Sequence, residues 1–123
     1  MKKIEYIKVG YLYKKIADAI NKPAGDICIT ETAIKHIYER HSVELETLGI
    51  DAIGFVKFVV SNFTHIFEDA KNKSMLLAYI SETRIAKVII ITIVAKDRKY
   101  FVRTASPMIT RYLYNKRLLW YKK

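Results

Sequence analysis

The stretch His36-Ile37-Tyr38-Glu39-Arg40-His41 holds the residues best suited to chemistry. In a helix, Thr32, His36 and Arg40 recur at i, i+4 spacing on one face. Ile37 and Tyr38 then face a core, and His36 and Arg40 sit together at the border of the buried stripe. That pairing suits phosphoryl chemistry. An imidazole with a reference pKa of about 6.5 takes or gives a proton near neutrality. A guanidinium holds a phosphate through a fixed fork of donors. His41 lies roughly 140° round the helix from His36. Both imidazoles reach one phosphate only if the helix ends there, and Ser42 and the change of pattern at Val43 point to such an end. The alternative is a solvated helix face, with Arg40 paired to Glu39 or Glu44 and His41 capping the helix.

A second candidate group is Lys99-Tyr100-Phe101-Val102-Arg103-Thr104-Ala105-Ser106-Pro107. Strand alternation places Tyr100, Val102, Thr104 and Ser106 on one face, with Phe101, Arg103 and Ala105 on the other. Thr104, Ser106 and Arg103 at a strand end would bind a phosphate, or would be ordinary edge residues. Arg103 and Thr104 serve one site only at a bulge or an edge. His65 alternates with Phe63 and Phe67 and reads as a sheet histidine. The chain has no HExxH, CxxC or Gly-rich phosphate loop, so no metal or cofactor is expected.

These groups need elements to hold them. Residues 4–9 alternate as a short strand, 11–20 follow helical spacing, and 26–29 form a short extended piece. Thr30 is a good N-cap, and Glu31 suits the first turn of a helix over residues 30–41. Ile34, Ile37, Tyr38 and His41 fit its buried stripe. A largely buried helix follows at 51–60. Residues 63–68, 75–80, 85–95 and 100–105 read as strands joined by short polar connections at 69–74, 81–84 and 96–99. Residues 111–119 suit a short closing helix, with the chain leaving the sheet at Pro107. The expected fold is α+β: N-terminal helices packed on one face of a four-stranded antiparallel β-meander, a single domain over 1–123.

Composition narrows the class. The chain has 123 residues, is 51% hydrophobic and carries a formal charge of +10. No apolar run approaches the ~18 residues of a membrane span, so no membrane partner is expected. Glu5, Lys8, Lys14 and Lys15 interrupt any export signal, which predicts a soluble cytoplasmic protein. Cys28, the one cysteine, reads as buried ballast. Residues 98–123 hold eight Lys/Arg and no Asp or Glu. Tyr100, Phe101, Tyr112, Tyr114, Trp120 and Tyr121 interleave with them, and Arg111 and Tyr112 stand side by side. Cations for phosphates and rings for bases make RNA the expected partner. The alternatives are a solvated basic tail or an acidic protein partner.

Two features resemble the barnase/EndoU/colicin/RelE-like (BECR) superfamily of small RNases, in particular its phage-associated branch. One is the helix bearing His-Ile-x-x-Arg-His at 36–41. The other is a late strand ending Val-x-Thr-Ala at 102–105. The apolar helix, the Asn-x-x-x-Ile turn at 62–66 and the hairpins between them come in a similar order. The resemblance covers residues 26–115 and implies metal-independent RNA cleavage by a toxin or mobile-element effector. Matched by position, His36, Arg40, His41 and Thr104 are the catalytic residues it implies. Arg103, Ser106, Arg111 and Tyr112 would contact substrate. Ser106 stands where aromatic residues are common in these families, and Asn62-Phe63 where Asn-Pro is usual. The expected reaction is 2′-hydroxyl attack, with His36 as base, giving a 2′,3′-cyclic phosphate. An acidic immunity or antitoxin protein would be the partner of such a toxin. A non-enzymatic nucleic-acid-binding module explains the basic aromatic C-terminus equally well.

Overall fold

The structure, a computed structural model, describes residues 5–48, 51–69, 74–81, 84–94 and 98–122. Its elements run β1 (Tyr6–Leu12), α1 (Lys14–Ala19), β2 (Gly25–Thr30), α2 (Glu31–Leu48) and α3 (Ala52–Asn62). They continue with β3 (His65–Asp69), β4 (Ser74–Tyr79), β5 (Ile85–Val94), β6 (Lys99–Ile109), α4 (Thr110–Leu113) and β7 (Leu118–Tyr121). Ala95, the connections at 70–73, 82–83 and 95–97, and the Glu44 side chain expected near Arg40 lie outside the described residues.

The cap read at Thr30 forms, and Asp51 supplies a second that the sequence reading did not name. Thr30 Oγ1 accepts from the Ala33 amide at 3.1 Å. Asp51 Oδ1 accepts from the Gly54 amide at 2.6 Å and starts α3. Each cap satisfies an amide that the first turn leaves without a partner. α2 runs on past the expected end at His41, but His41 itself is non-helical (φ −130°, ψ 17°) and kinks it. Ile37 is fully buried, whereas Tyr38 is 44% exposed. Tyr38 therefore leaves the predicted stripe, which follows Ala33, Ile34 and Ile37 instead.

The sheet overturns the four-stranded antiparallel meander. Among the described residues it has seven strands, in the order β1-β2-β6-β5-β4-β3-β7. The short piece at 26–29 is the middle of β2, antiparallel to β1 and parallel to β6. The closing helix expected over 111–119 stops at Leu113, and Leu118–Tyr121 adds to β3 as an edge strand. Both additions give backbone partners to strands that would otherwise be bare edges. β6 also runs through Pro107 to Ile109. β2 pairs with it only at Tyr100 and Phe101, so at Pro107, opposite Lys87 of β5, the other side of the strand is open, and a proline nitrogen on an open side breaks no ladder.

Alternation splits the sheet into two faces. Ile27, Ile29, Leu77, Ile91, Val102 and Ala105 pack in one core with Ala17, Ile37, Phe55 and Val56, so α1, α2 and α3 share this inner face. A phenylalanine buried as Phe55 is contributes about 1.5–3 kcal/mol. On the outer face, Phe67, Leu76, Ala78 and Val88 form a smaller cluster under Leu113 of α4.

A bulge in β6 sets which face carries the candidate residues. Ile91 pairs with Val102 and Ile90 with Thr104, leaving Arg103 as the extra residue. The alternation expected for 100–106 therefore breaks. Tyr100, Val102 and Ala105 point inward. Thr104 and Ser106 point outward, opposite Ile90 and Val88. Phe101 is outward with Thr92. Arg103, following inward Val102 by alternation, joins them.

Candidate nucleic-acid interface

The outer face of β1, β2 and β6 is where the exposed aromatic and basic side chains gather. Ile27 and Ile29 point inward, so Asp26, Cys28 and Thr30 point outward. Their β1 partners Tyr11, Lys8 and Tyr6 do likewise. Among the described residues no helix covers this part of the sheet; α4 packs farther along, over the cluster of Phe67 and Leu76.

Contacts between side chains fix the layout. Tyr6 is 43% exposed and meets Phe101 edge to face, with centroids 5.4 Å apart. Lys99 Nζ donates to the Tyr6 hydroxyl at 2.6 Å and lies 4.9 Å from its ring centroid. Lys8 pairs with Asp26 at 3.1 Å and lies 5.5 Å from the Tyr11 ring. Cys28 is fully buried beneath these groups. Burial pushes its thiol pKa up, Asp26 adds to the rise, and Lys99 and Lys8 oppose it. A protonated, buried thiol is inert.

The bulge adds a second feature. Arg103 is exposed. Thr104 Oγ1 is out of solvent and has no hydrogen-bond partner among the described residues. Bulges re-aim side chains in this way beside binding sites. Ser106, half-buried, follows on the same face. At the end of the strand, α4 exposes Arg111 and Tyr112, with the guanidinium 5.3 Å from the ring centroid.

The helix group lies elsewhere. His36 is half-buried and Arg40 exposed on α2, which packs across β2 and β6 on the inner face. His36, Arg40 and His41 therefore share one helix, while Thr104 projects from the opposite face of the sheet. His65 is also distant from the bulge, because β5 and β4 separate its strand from β6. It stacks on Phe67 at 5.9 Å, and Thr64 Oγ1 lies 2.7 Å from its Nδ1. Burial lowers its pKa.

The C-terminal aromatics divide by environment. Tyr112, Tyr114 and Tyr121 are exposed. Tyr100 is core: its hydroxyl donates to the Pro23 carbonyl at 2.7 Å, and burial pushes its pKa up to about 12. Trp120 packs edge-on to Phe63, with centroids 5.5 Å apart. The residues that sequence reasoning missed are Tyr6, Lys8 and Tyr11. Tyr6 and Lys8 fell in the alternation at 4–9, in which Tyr6 was grouped with the apolar positions; Tyr11 fell in the helix expected over 11–20, whereas β1 carries on to Leu12 and α1 starts at Lys14.

Among the described residues, no three His, Cys, Asp or Glu side chains cluster as metal ligands would, and no helix is long and apolar enough to cross a membrane. No family model matches the chain, and neither the curated proteins nor the solved structures compared with it show a match.

Proposed function

We propose that this domain binds single-stranded RNA on the outer face of β1, β2 and β6. The observation that carries the reading is Tyr6 against Phe101 on an uncovered sheet face, flanked by Lys8, Lys99 and Arg103. Rings give successive bases a stacking surface, and cations follow the backbone between them. The exposed Arg103 guanidinium at the bulge suits a phosphate oxygen. Arg111 and Tyr112 on α4 extend the basic, aromatic surface. The test is anisotropy of a labelled RNA strand across a salt series. Each phosphate neutralised contributes about −0.7 to the slope of log K against log salt. A flat response would end the reading.

Metal-independent RNA cleavage is the second reading, and the kink at His41 favours it. The kink breaks the helical phase that otherwise separates His36 and His41. In this reading His36 removes the 2′-hydroxyl proton, Arg40 holds the phosphate and His41 protonates the leaving 5′-oxygen. Thr104 has no part in it, being on the other face of the sheet. The test is cleavage of labelled RNA with EDTA present, with DNA as control. His36→Ala should slow the reaction by about 10²–10⁴. Equal rates for both proteins, or cleavage that needs added metal, would remove this mechanism.

A further inference from the structure

β1 and β7 are the two edges of the sheet, yet both line one cleft of about 920 Å³. The sheet therefore curls until its edges face each other across a gap. Val60 and Phe63, from the end of α3, stand between them. Gly10 makes this approach possible: a Cβ there would lie 2.0 Å from Val60 Cγ1. The volume falls in the range of about 300–1,000 Å³ typical of small-molecule sites.

The lining is specific in character. Tyr11 and Tyr13 form one wall, edge to face at 5.3 Å between centroids. Trp120 on Phe63 forms the other. Lys15 and Lys122 line the cleft and are exposed, and among the described residues no carboxylate side chain lines it. Aromatic walls suit a flat guest, and the two lysines suit an anion. Tyr13 is 67% exposed, so its outer ring face is open to such a guest.

We infer that this cleft binds a nucleobase carrying a phosphate. The base lies between the Tyr13 and Trp120 walls, and the phosphate meets Lys15 and Lys122. A free nucleotide would satisfy this chemistry. So would an unstacked end base of a strand held on the outer face, which Tyr11 joins to the cleft; that second source alone rests on the RNA-binding reading.

Trp120 is the chain's one tryptophan and so reports on the cleft alone. The experiment titrates the intact protein with adenosine and uridine monophosphates, inorganic phosphate, adenosine and a short RNA strand, following Trp120 fluorescence. Strand binding is followed separately by anisotropy. The expected result is a saturable change with the monophosphates, a weaker one with adenosine and none with phosphate. Tyr13→Ala should weaken it about tenfold, the worth of one stacking contact. Lys15→Gln should remove the advantage of the monophosphate over adenosine. A change with the RNA strand alone would assign the cleft to an end base. An equal change with phosphate alone overturns the inference, as does a signal indifferent to both substitutions. RNA binding with Trp120 silent toward the strand and the monophosphates alike overturns it while sparing the outer-face reading. A monophosphate signal without strand binding does the reverse.

Discussion

Tyr6 and Phe101 meet edge to face at 88°, although β2 lies between their strands. The Tyr6 side chain starts level with Thr30, yet reaches Phe101 beside Cys28 and Lys99 beyond it. It therefore crosses the Cys28 row and ties the β1 edge to β6. Such edge-to-face pairs add about 0.5–1.5 kcal/mol beyond area burial. The same two rings are the centre of the proposed RNA surface.

Lys99→Gln tests the electrostatic part of that surface. The lysine is bonded to the Tyr6 hydroxyl, so its charge is held at the edge of the platform. The substitution should reduce the salt slope of RNA binding by about 0.7, the share of one phosphate contact on a single strand. A slope equal to that of wild type would remove Lys99 from the contact.

Ile37→Ala should cost about 2–5 kcal/mol in urea unfolding, because Ile37 is fully buried between α2 and the sheet. Tyr38→Ala, at an exposed position one residue on, should stay within about 0.5 kcal/mol. Similar losses for both would mean the face of α2 is misassigned.

This pair also marks how far sequence reasoning reached. The cap at Thr30 is local chemistry, so the start of α2 was legible; the first helix was read three residues early, because Tyr11 and Leu12 belong to β1. The apolar strands at 63–68, 75–80, 85–95 and 100–105 were legible for the same reason. Tyr38 was misread because aromatic and aliphatic residues look alike to a periodicity. The parallel pairing of β2 with β6 is a contact between distant segments, and no local pattern announces it. The bulge at Arg103 turned Thr104 to the outer face, and one extra residue leaves no mark in composition. His36, Arg40, His41 and Thr104 were therefore read as one site, although the helix and strand members lie on opposite faces.

Gly25→Ala should destabilise the fold by about 1–3 kcal/mol through overpacking. A Cβ at Gly25 would stand 2.2 Å from the Arg98 carbonyl oxygen. Arg98 already has a positive φ of 51°, so its backbone has little freedom to yield. A urea midpoint unchanged by the substitution would refute the close packing of β2 against this turn.

His65 predicts a pH dependence. Burial holds its pKa below the ordinary 6.5 in the folded chain. As pH falls through 6.5, the unfolded chain takes up this proton first, which favours unfolding. The contribution of His65 is full above that pH and is lost between 6.5 and the lower folded value. His65→Gln should flatten this part of the urea midpoint profile. An identical profile for wild type and variant would contradict the assignment.

The most direct measurement is anisotropy of a labelled single-stranded RNA with wild type, Tyr6→Ala/Phe101→Ala and His36→Ala, circular dichroism confirming that each is folded. Stacking is worth about 1–3 kcal/mol per base. Wild type should bind in a salt-sensitive way, His36→Ala with unchanged affinity, and the folded double variant about tenfold or more weakly. Equal affinity for the double variant and wild type would contradict the outer-face reading.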